Sequence, residues 1–377
     1  MTRIDLDNNA TTPIEPEVRA AMVVAMRDLP GNPSSLHSVG RRARDAVECA
    51  RESVARLVRA RAEEIVFTSG GTEANNLALV GTLSRPGGRL VTSSIEHPSV
   101  LVSSSFLESR GVVVSRVDPD PTGVIRSGDM IAALVEGAGL VSLMTANNET
   151  GALQPVREVA VEARKRGVPV HTDAVQAIGK IPIDAEDLGA DLLTLSAHKI
   201  GGPKGIGALW ARRGVFPSPI VHGGGQERGN RSGTENVIGI VGFGKAAELA
   251  AVRVKDYGQT VSRLRDLLEA GIVKGGVGGV AIGAESPRVP NTTDIAFEGI
   301  EGGALVQLLD LKGIAASTGS ACEAGSEEYS HVLRAMAIPE ELARGAIRFS
   351  LSFHTVESEI AEAIGRVIEA VEEIRGL

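Results

Sequence analysis

The chain of 377 residues reads as an α/β protein, with a large domain on a mostly parallel sheet and a smaller α/β domain. Three observations predict this. Strand-like and helix-like runs alternate from about residue 65 to residue 199, the pattern of parallel strands joined by crossover helices. Two runs, VPVHTDAV and LLTLSAHK, are apolar enough to be strands buried on both faces. The length exceeds what one ordinary core fills and suits a large unit plus a smaller one.

Taken in order, the chain opens with a short strand in TRIDLDN and a polar turn. Pro13 and Pro16 forbid a helix before about Glu17, and a helix is expected over Val18 to Asp28. The Gly, Pro and Ser content of LPGNPSSLHSVGRR marks a loop. A long helix is expected from about Gly40 to Arg59, with Ala43, Val47, Ala50, Val54 and Leu57 at helical spacing. Cys49, inside it with no nearby His or Cys, reads as inert packing. EIVFTSGGTEANNLALVG is strand, Gly loop, helix. RLVTSSIEHP reads as a strand ending at His97, SVLVSSSFLESR as a helix and GVVVSRV as a strand. LVSLMTANNETG reads as a strand ending at Asn148, and VREVAVEARKRG as a helix. After Trp210 comes a Gly/Arg-rich loop, HGGGQERGNRSGTEN, then a helical stretch from Val237 through Ala270 with a break expected near Tyr257. From about Lys274 the smaller unit begins. It runs through a TTDIAFEG strand, a LVQLLDLKG helix, a polar loop around Cys322, a helix near Ser330, an IRFSLSF strand and a terminal helix from Val356.

Composition excludes several classes. A net charge of −8 and a pI near 5.5 argue against general nucleic-acid binding, which needs a basic footprint. The start lacks a signal-like pattern and no run of 18 apolar residues occurs, against secretion and membrane spanning. Two cysteines make no disulfide framework and fit a reducing cytoplasm. Aromatics are 3%, so the core must rest on Ala, Val, Leu and Ile.

The chemistry concentrates between Val168 and Gly207. One strand ends in His171 and Asp173 with Gln176 just beyond, and the next ends in Ser196, His198 and Lys199. Ligands of open α/β sheets sit outside the carboxyl ends of the strands. A carboxylate at one strand end and a lysine at another is what a pyridoxal phosphate site requires. The lysine forms a Schiff base, and the carboxylate keeps the ring nitrogen protonated. On the residues alone, a solvated lysine and a capping aspartate fit as well. TSGGTEANN places Gly71 and Thr72 at a helix N-terminus, where free N–H groups and the helix dipole cradle a phosphate; an ordinary helix start capped by Thr72 is the alternative. Lys204, inside the Gly/Pro loop, is the competing lysine. STGSACEAGS sets Cys322 in a small, polar loop where burial is not expected, so its thiol is either a liability or a nucleophile.

SAHKIGGPKGIG beside HTDAVQAIGK resembles the class V aminotransferases, specifically cysteine desulfurases of the NifS/IscS type. The matching motifs run in family order from about Asp7 to His354. The resemblance implies the fold type I of pyridoxal phosphate enzymes. It places a large domain at 15–255 and a small one at 1–14 with 256–377, the latter carrying a mobile Cys loop. It implies that Lys199 carries the cofactor, Asp173 pairs with the ring nitrogen, Gln176 meets the phenolic oxygen and His97 stacks on the ring. Asn148 then lies near cofactor and substrate, while Gly71, Thr72, Ser196 and His198 hold the phosphate. Thr234, in RSGTEN, reaches the phosphate of the other subunit of a homodimer, though Thr234 or Asn236 also suits as the cap of the next helix. Arg348, with Asn32, holds the substrate carboxylate.

The implied reaction is L-cysteine to L-alanine, with sulfur passed to Cys322 and on to an acceptor such as an iron–sulfur scaffold. No resident metal is expected, and a transient iron–sulfur ligand role for Cys322 stays open. Glu323 departs from the Ser the family often has after the Cys, and it would raise the thiol pKa. A class V aminotransferase or a selenocysteine lyase is the alternative from the same fold.

Overall fold

From the N-terminus, β1 (Ile4–Asp5) precedes α1 (Pro16–Asp28) and α2 (Ser38–Leu57). Then follow β2 (Ile65–Thr68), α3 (Gly71–Thr82), β3 (Arg89–Ser93), α4 (Pro98–Ser109), β4 (Val113–Val117) and α5 (Ser127–Ala133). Next come β5 (Ala138–Ser142), α6 (Val156–Lys165), β6 (Val170–Asp173), α7 (Ala185–Leu188), β7 (Leu192–Ser196) and β8 (Gly207–Ala211). The rest comprises α8 (Val237–Lys274), β9 (Gly279–Ile282), β10 (Thr292–Phe297), α9 (Gly302–Leu311), β11 (Ile314–Ala315), α10 (His331–Ala335), α11 (Glu340–Ala343), β12 (Ala346–Ser350) and α12 (Glu357–Arg375). The structure, a computed structural model, describes residues 3–83, 88–135, 137–319 and 329–376.

Among the described residues a seven-stranded sheet runs in the order β2-β8-β7-β6-β5-β3-β4. The pairings from β7 through β4 are parallel, and β8 alone is antiparallel to both neighbours. The strand–helix alternation thus gives the mostly parallel sheet it predicts. β8 escapes the sequence because GALWA follows β7 after a short Gly/Pro turn, a hairpin inside a βαβ series. A second, antiparallel sheet has the order β12-β10-β9, and β1 pairs with β11 beside it. The N-terminal strand therefore belongs spatially with the C-terminal elements.

Helix formation follows local chemistry. Pro16 starts α1, where its missing N–H is not needed. Ala43, Val47, Ala50, Val54 and Leu57 of α2 are buried against the large sheet's core. Cys49, one position off that stripe, is exposed, so the packing role expected for it is corrected. No break occurs near Tyr257. α8 runs unbroken for 38 residues, and Tyr257 is buried with its hydroxyl donating to the Leu351 carbonyl at 3.4 Å. The expected boundary at 255/256 thus falls inside one helix. Residues before it pack into the large-sheet core, and Val261, Leu264, Leu268 and Ile272 pack into the other. Two strands are shorter than expected. β3 stops at Ser93, leaving His97 as the N-cap of α4, and β5 stops six residues before Asn148.

One buried ion pair pins the HGGGQERG loop. Arg51 meets both carboxylate oxygens of Glu227, at 2.6 and 2.8 Å. Glu227 also accepts from the Phe67 backbone N–H at 2.8 Å, and the guanidinium lies 4.7 Å from the Phe67 ring centre. Both ionic side chains are almost fully buried. Removing one partner strands a charge in a low-dielectric interior, at a cost of about 3–5 kcal/mol. Glu227→Ala should lower the unfolding free energy by that order in a denaturant titration. Glu48→Ala, which removes the half-exposed partner of the same Arg51, should lower it by about 1 kcal/mol or less. Equal losses would show that the Glu227 pair is no anchor.

Candidate active site

The parallel pairing of β6 with β7 places Asp173 opposite Thr194, so their carboxyl ends open at one level. Beyond them lies a cavity of about 300 Å³ lined by Gly71, Thr72, His97, Asn148, Asp173, Gln176, Ser196, His198 and Lys199. These come from the α3 N-terminus, the α4 cap, the loop after β5 and the ends of β6 and β7. Lys199 sits in a 3-10 turn directly after β7. Its ammonium donates to the carbonyls of Asn9 and Ala10, the latter at 2.9 Å. Lys199 also borders a second cavity of about 470 Å³ toward α8. The smaller one holds Asp173, His97 and the helix terminus, so the chemistry is assigned there.

Asp173 is buried and accepts from Asn75 Nδ2 at 2.7 Å and from the Val175 N–H at 2.9 Å. The N-cap of α3 is Gly70, which offers no side-chain cap, so Thr72 lies inside the first turn. The first N–H groups are thus left for an anion. A Cβ at Gly71 would stand 3.0 Å from Val175 Cγ2, so a larger residue would crowd this corner. His198 hydrogen-bonds Thr11 Oγ1 at 3.1 Å, and burial, with Lys199, Lys204 and His97 nearby, pulls its pKa down to about 4. Burial, with Lys199 and His331 adding to it, also lowers the His97 pKa against the opposing pull of Asp173.

Several expected site residues lie elsewhere. Lys204 is exposed in the turn before β8 and does not line the cavity. Thr234 is exposed and outside it, while Asn236 is the N-cap of α8, accepting from the Gly239 N–H at 3.0 Å. Asn32 is exposed, its amide oxygen held by the Ser34 N–H at 2.9 Å. Arg348 on β12 is buried just behind the cavity wall. It donates to the Asn148 carbonyl at 3.1 Å and to Asp7 at 3.0 Å, and its Nε has no partner. Cys322 and Glu323 lie outside the described residues.

The structure also presents groups the sequence did not single out. Asn9 is a buried hub. Its amide donates to the Asn148 carbonyl and Thr292 Oγ1, its amide oxygen accepts from Lys180 and Asn291, and its carbonyl accepts from Gln176 and Lys199. Lys180, buried with no carboxylate partner among the described residues, donates to Asn9 and Gln176, and burial beside Lys199 and Arg348 holds its pKa well below the usual lysine range. The one signal was DNNATT, two amides in a polar turn.

The profile of the class-V aminotransferases matches residues 4–362. The chain belongs to the class-V aminotransferase family. The family depends on pyridoxal phosphate. The chain is 48% identical over 380 residues to the cysteine desulfurase of Enterobacter agglomerans, covering 100% of this chain and 94% of that protein. It is 42% identical over 373 residues to the cysteine desulfurase IscS of Dictyoglomus turgidum, covering 98% and 95%. A solved NifS-like protein superposes with a TM-score of 0.91 at 38% identity, covering both chains fully. The cavity fits the family's cofactor on its own chemistry. Ser196 Oγ, Asn148 Oδ1 and Asn75 Oδ1 are buried polar atoms without hydrogen-bond partners, and all three residues line it beside the uncapped helix terminus. Such atoms are costly unless a ligand satisfies them.

Glu96, next to His97, is fully buried. It accepts from Ser93 Oγ at 2.7 Å and the Met144 N–H at 2.9 Å, and burial, helped by Asp173, pushes its carboxyl up to about 8. Folded Glu96 keeps its proton to about pH 8, whereas the unfolded chain releases it near pH 4.5. In that window the native state binds more protons, so this group's contribution to stability falls as pH rises. Glu96→Gln keeps an acceptor oxygen and does not titrate. Its stability relative to the parent should rise by roughly 3 kcal/mol between pH 5 and pH 7. A pH-independent difference in chemical denaturation would show that folded Glu96 is ionised.

Proposed function

We propose that the chain converts L-cysteine and the Cys322 thiol into L-alanine and a Cys322 persulfide, as a cysteine desulfurase. The Cβ–S bond of the substrate breaks, an S–S bond forms, and the proton lost by the Cys322 thiol is matched by the one gained at Cβ. One observation carries the reading: Lys199, Asp173 and an uncapped helix N-terminus converge on one cavity in a chain similar to cysteine desulfurases along its whole length.

In this reading Gly71, Thr72, Ser196 and His198 hold the cofactor phosphate, helped by the α3 dipole. Asp173 faces the ring nitrogen, Gln176 the phenolic oxygen and His97 the ring face. When bound, pyridoxal phosphate supplies the electron sink that makes the substrate Cα proton acidic. Lys199 takes and returns that proton. Arg348 binds the substrate carboxylate through its open Nε and by exchange with Asp7, beside Asn148, whose carbonyl it already meets; Asn32 would join them only by leaving its turn with Ser34. His97, on the cavity wall, assists proton transfer to and from substrate and product. Thr234 serves the cavity of a second copy in a homodimer, which its exposure permits. The sulfur goes to an acceptor protein such as an iron–sulfur scaffold, the assignment suggested by the IscS name of one relative. The two cysteines, too few for a disulfide framework, support a cytoplasmic setting. Among the described residues no helix is long and apolar enough to cross a membrane.

The purified protein should show a visible absorption band that shifts on adding L-cysteine, and it should form alanine and sulfide under a reductant. Lys199→Ala should lose the band. Cys322→Ala should keep the band and lose at least about 100-fold in sulfide formation, the scale for deleting a nucleophile. A band with transamination of a keto acid and no sulfide would favour the aminotransferase reading, and turnover confined to selenocysteine would favour a lyase. No band after adding pyridoxal phosphate would end the reading.

A further inference from the structure

Four side chains form a directional line along the cavity wall. Asn75 Nδ2 donates to Asp173 Oδ2 at 2.7 Å and to Ser99 Oγ at 2.8 Å, and Ser99 Oγ lies 2.8 Å from His97 Nδ1. Asp173 accepts at its second oxygen from the Val175 N–H at 2.9 Å. Both carboxylate oxygens thus act as acceptors, and only the nitrogen side of the Asn75 amide can face them. That orientation sends the other amide hydrogen to Ser99 Oγ. The serine hydroxyl, already accepting, has its own hydrogen left for His97 Nδ1. The Ser99 N–H also donates to Nδ1, at 3.1 Å. Nδ1 then accepts from two donors, so the neutral ring carries its hydrogen on Nε2, which makes no hydrogen bond among the described residues.

We infer that Asn75 and Ser99 are positioning residues that link Asp173 to His97 and, with the Ser99 N–H, hold the proton of its neutral ring on Nε2. Nothing in the reading above assigns them a role. The inference deepens that reading and rests on it for the use made of His97. Asn75 is buried and its remaining amide oxygen is unpartnered, an arrangement that costs stability and that packing alone does not require. The charged and titratable groups facing His97 are His198 from the turn after β7, Asp173 from the end of β6, Lys199 from the same turn as His198 and His331 from the start of α10. Burial and the last two favour the neutral ring, and the two donors to Nδ1 act in the same direction.

Two-bond proton–nitrogen spectra of the full-length, histidine-labelled protein test this, with His97 assigned by the peak lost in His97→Gln. At pH 7 the parent should show an unprotonated Nδ1 and a protonated Nε2. Losing the Ser99 hydroxyl removes one donor to the neutral ring, so Ser99→Ala should raise the His97 pKa by about 0.5–1 pH unit and bring up a signal from the Nδ1–H form. Asn75→Ala should do the same by freeing the hydroxyl to turn, and Ser99→Thr should restore the parental spectrum. In turnover of L-cysteine, the acid limb of kcat/KM should move up by the same amount in Ser99→Ala. A protonated Nδ1 in the parent, or parental spectra and pKa in both folded alanine variants, would overturn the inference. A protein that binds no pyridoxal phosphate, or leaves cysteine intact, would instead end the desulfurase reading and leave the spectra to decide the hydrogen-bond line alone.

Discussion

The site depends on the parallel register of β6 against β7. His171, Thr172 and Asp173 stand opposite Leu192, Leu193 and Thr194, so both strands end at one edge, and the chain leaving each must turn there. Both strands are buried along their length, and His171 of β6 bridges Ser142 and Thr194 on its neighbours at 2.9 and 3.0 Å, which helps fix the register. A slip of one residue would send Asp173 to the opposite face. The acid, the lysine and the serine are thus delivered to one place by strand pairing rather than by mutual attraction. Their environment then becomes possible: a carboxylate with two amide donors, and an ammonium resting on two backbone carbonyls.

The second organising element is the N-terminal turn. β1 pairs with β11 in the smaller unit, yet Asn9 and Ala10 reach the ammonium of Lys199. The hub at Asn9 joins the two sheets through buried hydrogen bonds, in which leaving any one partner unpaired is expensive. Arg348 and Asn148 meet on the same hub, so a change at the substrate side of the cavity is felt at the lysine through few bonds. Lys199 and Arg348 lie close enough there to add to the burial that lowers the Lys180 pKa.

Much of this was legible in the sequence because it is periodic or local. Strand–helix alternation gave the parallel sheet, and the strand-end residues Asp173, Ser196 and Lys199 follow from apolar runs that stop. What was missed depends on long-range pairing. His97 and Asn148 look like strand ends because the residues before them are apolar, but Ile95 and Leu143 are buried in the core from loops. Asn9, Asn75 and Lys180 act through hydrogen bonds to residues up to 283 positions away, and no local pattern announces such partners. A break is expected in α8 near Tyr257, whereas that residue is buried in the smaller unit's core with its hydroxyl on the Leu351 carbonyl. Cys49 was misplaced because it lies one step from the buried stripe of its helix.

The 38 uninterrupted residues of α8 bear on which sequence changes the chain can accept. At 1.5 Å per residue the helix is about 57 Å long, and each residue turns it by about 100°. Its first half buries Phe243, Ala247 and Ala250 in one core, and its second half buries Val261, Leu264 and Leu268 in another. Adding or deleting a single residue between Arg253 and Tyr257 would rotate one buried face away from its core while leaving the other in place. Substitutions on the solvent side are neutral to this phase relation. The segment therefore tolerates drift in composition but not in length, and it works as a ruler between the two sheets whose reading is fixed to the residue.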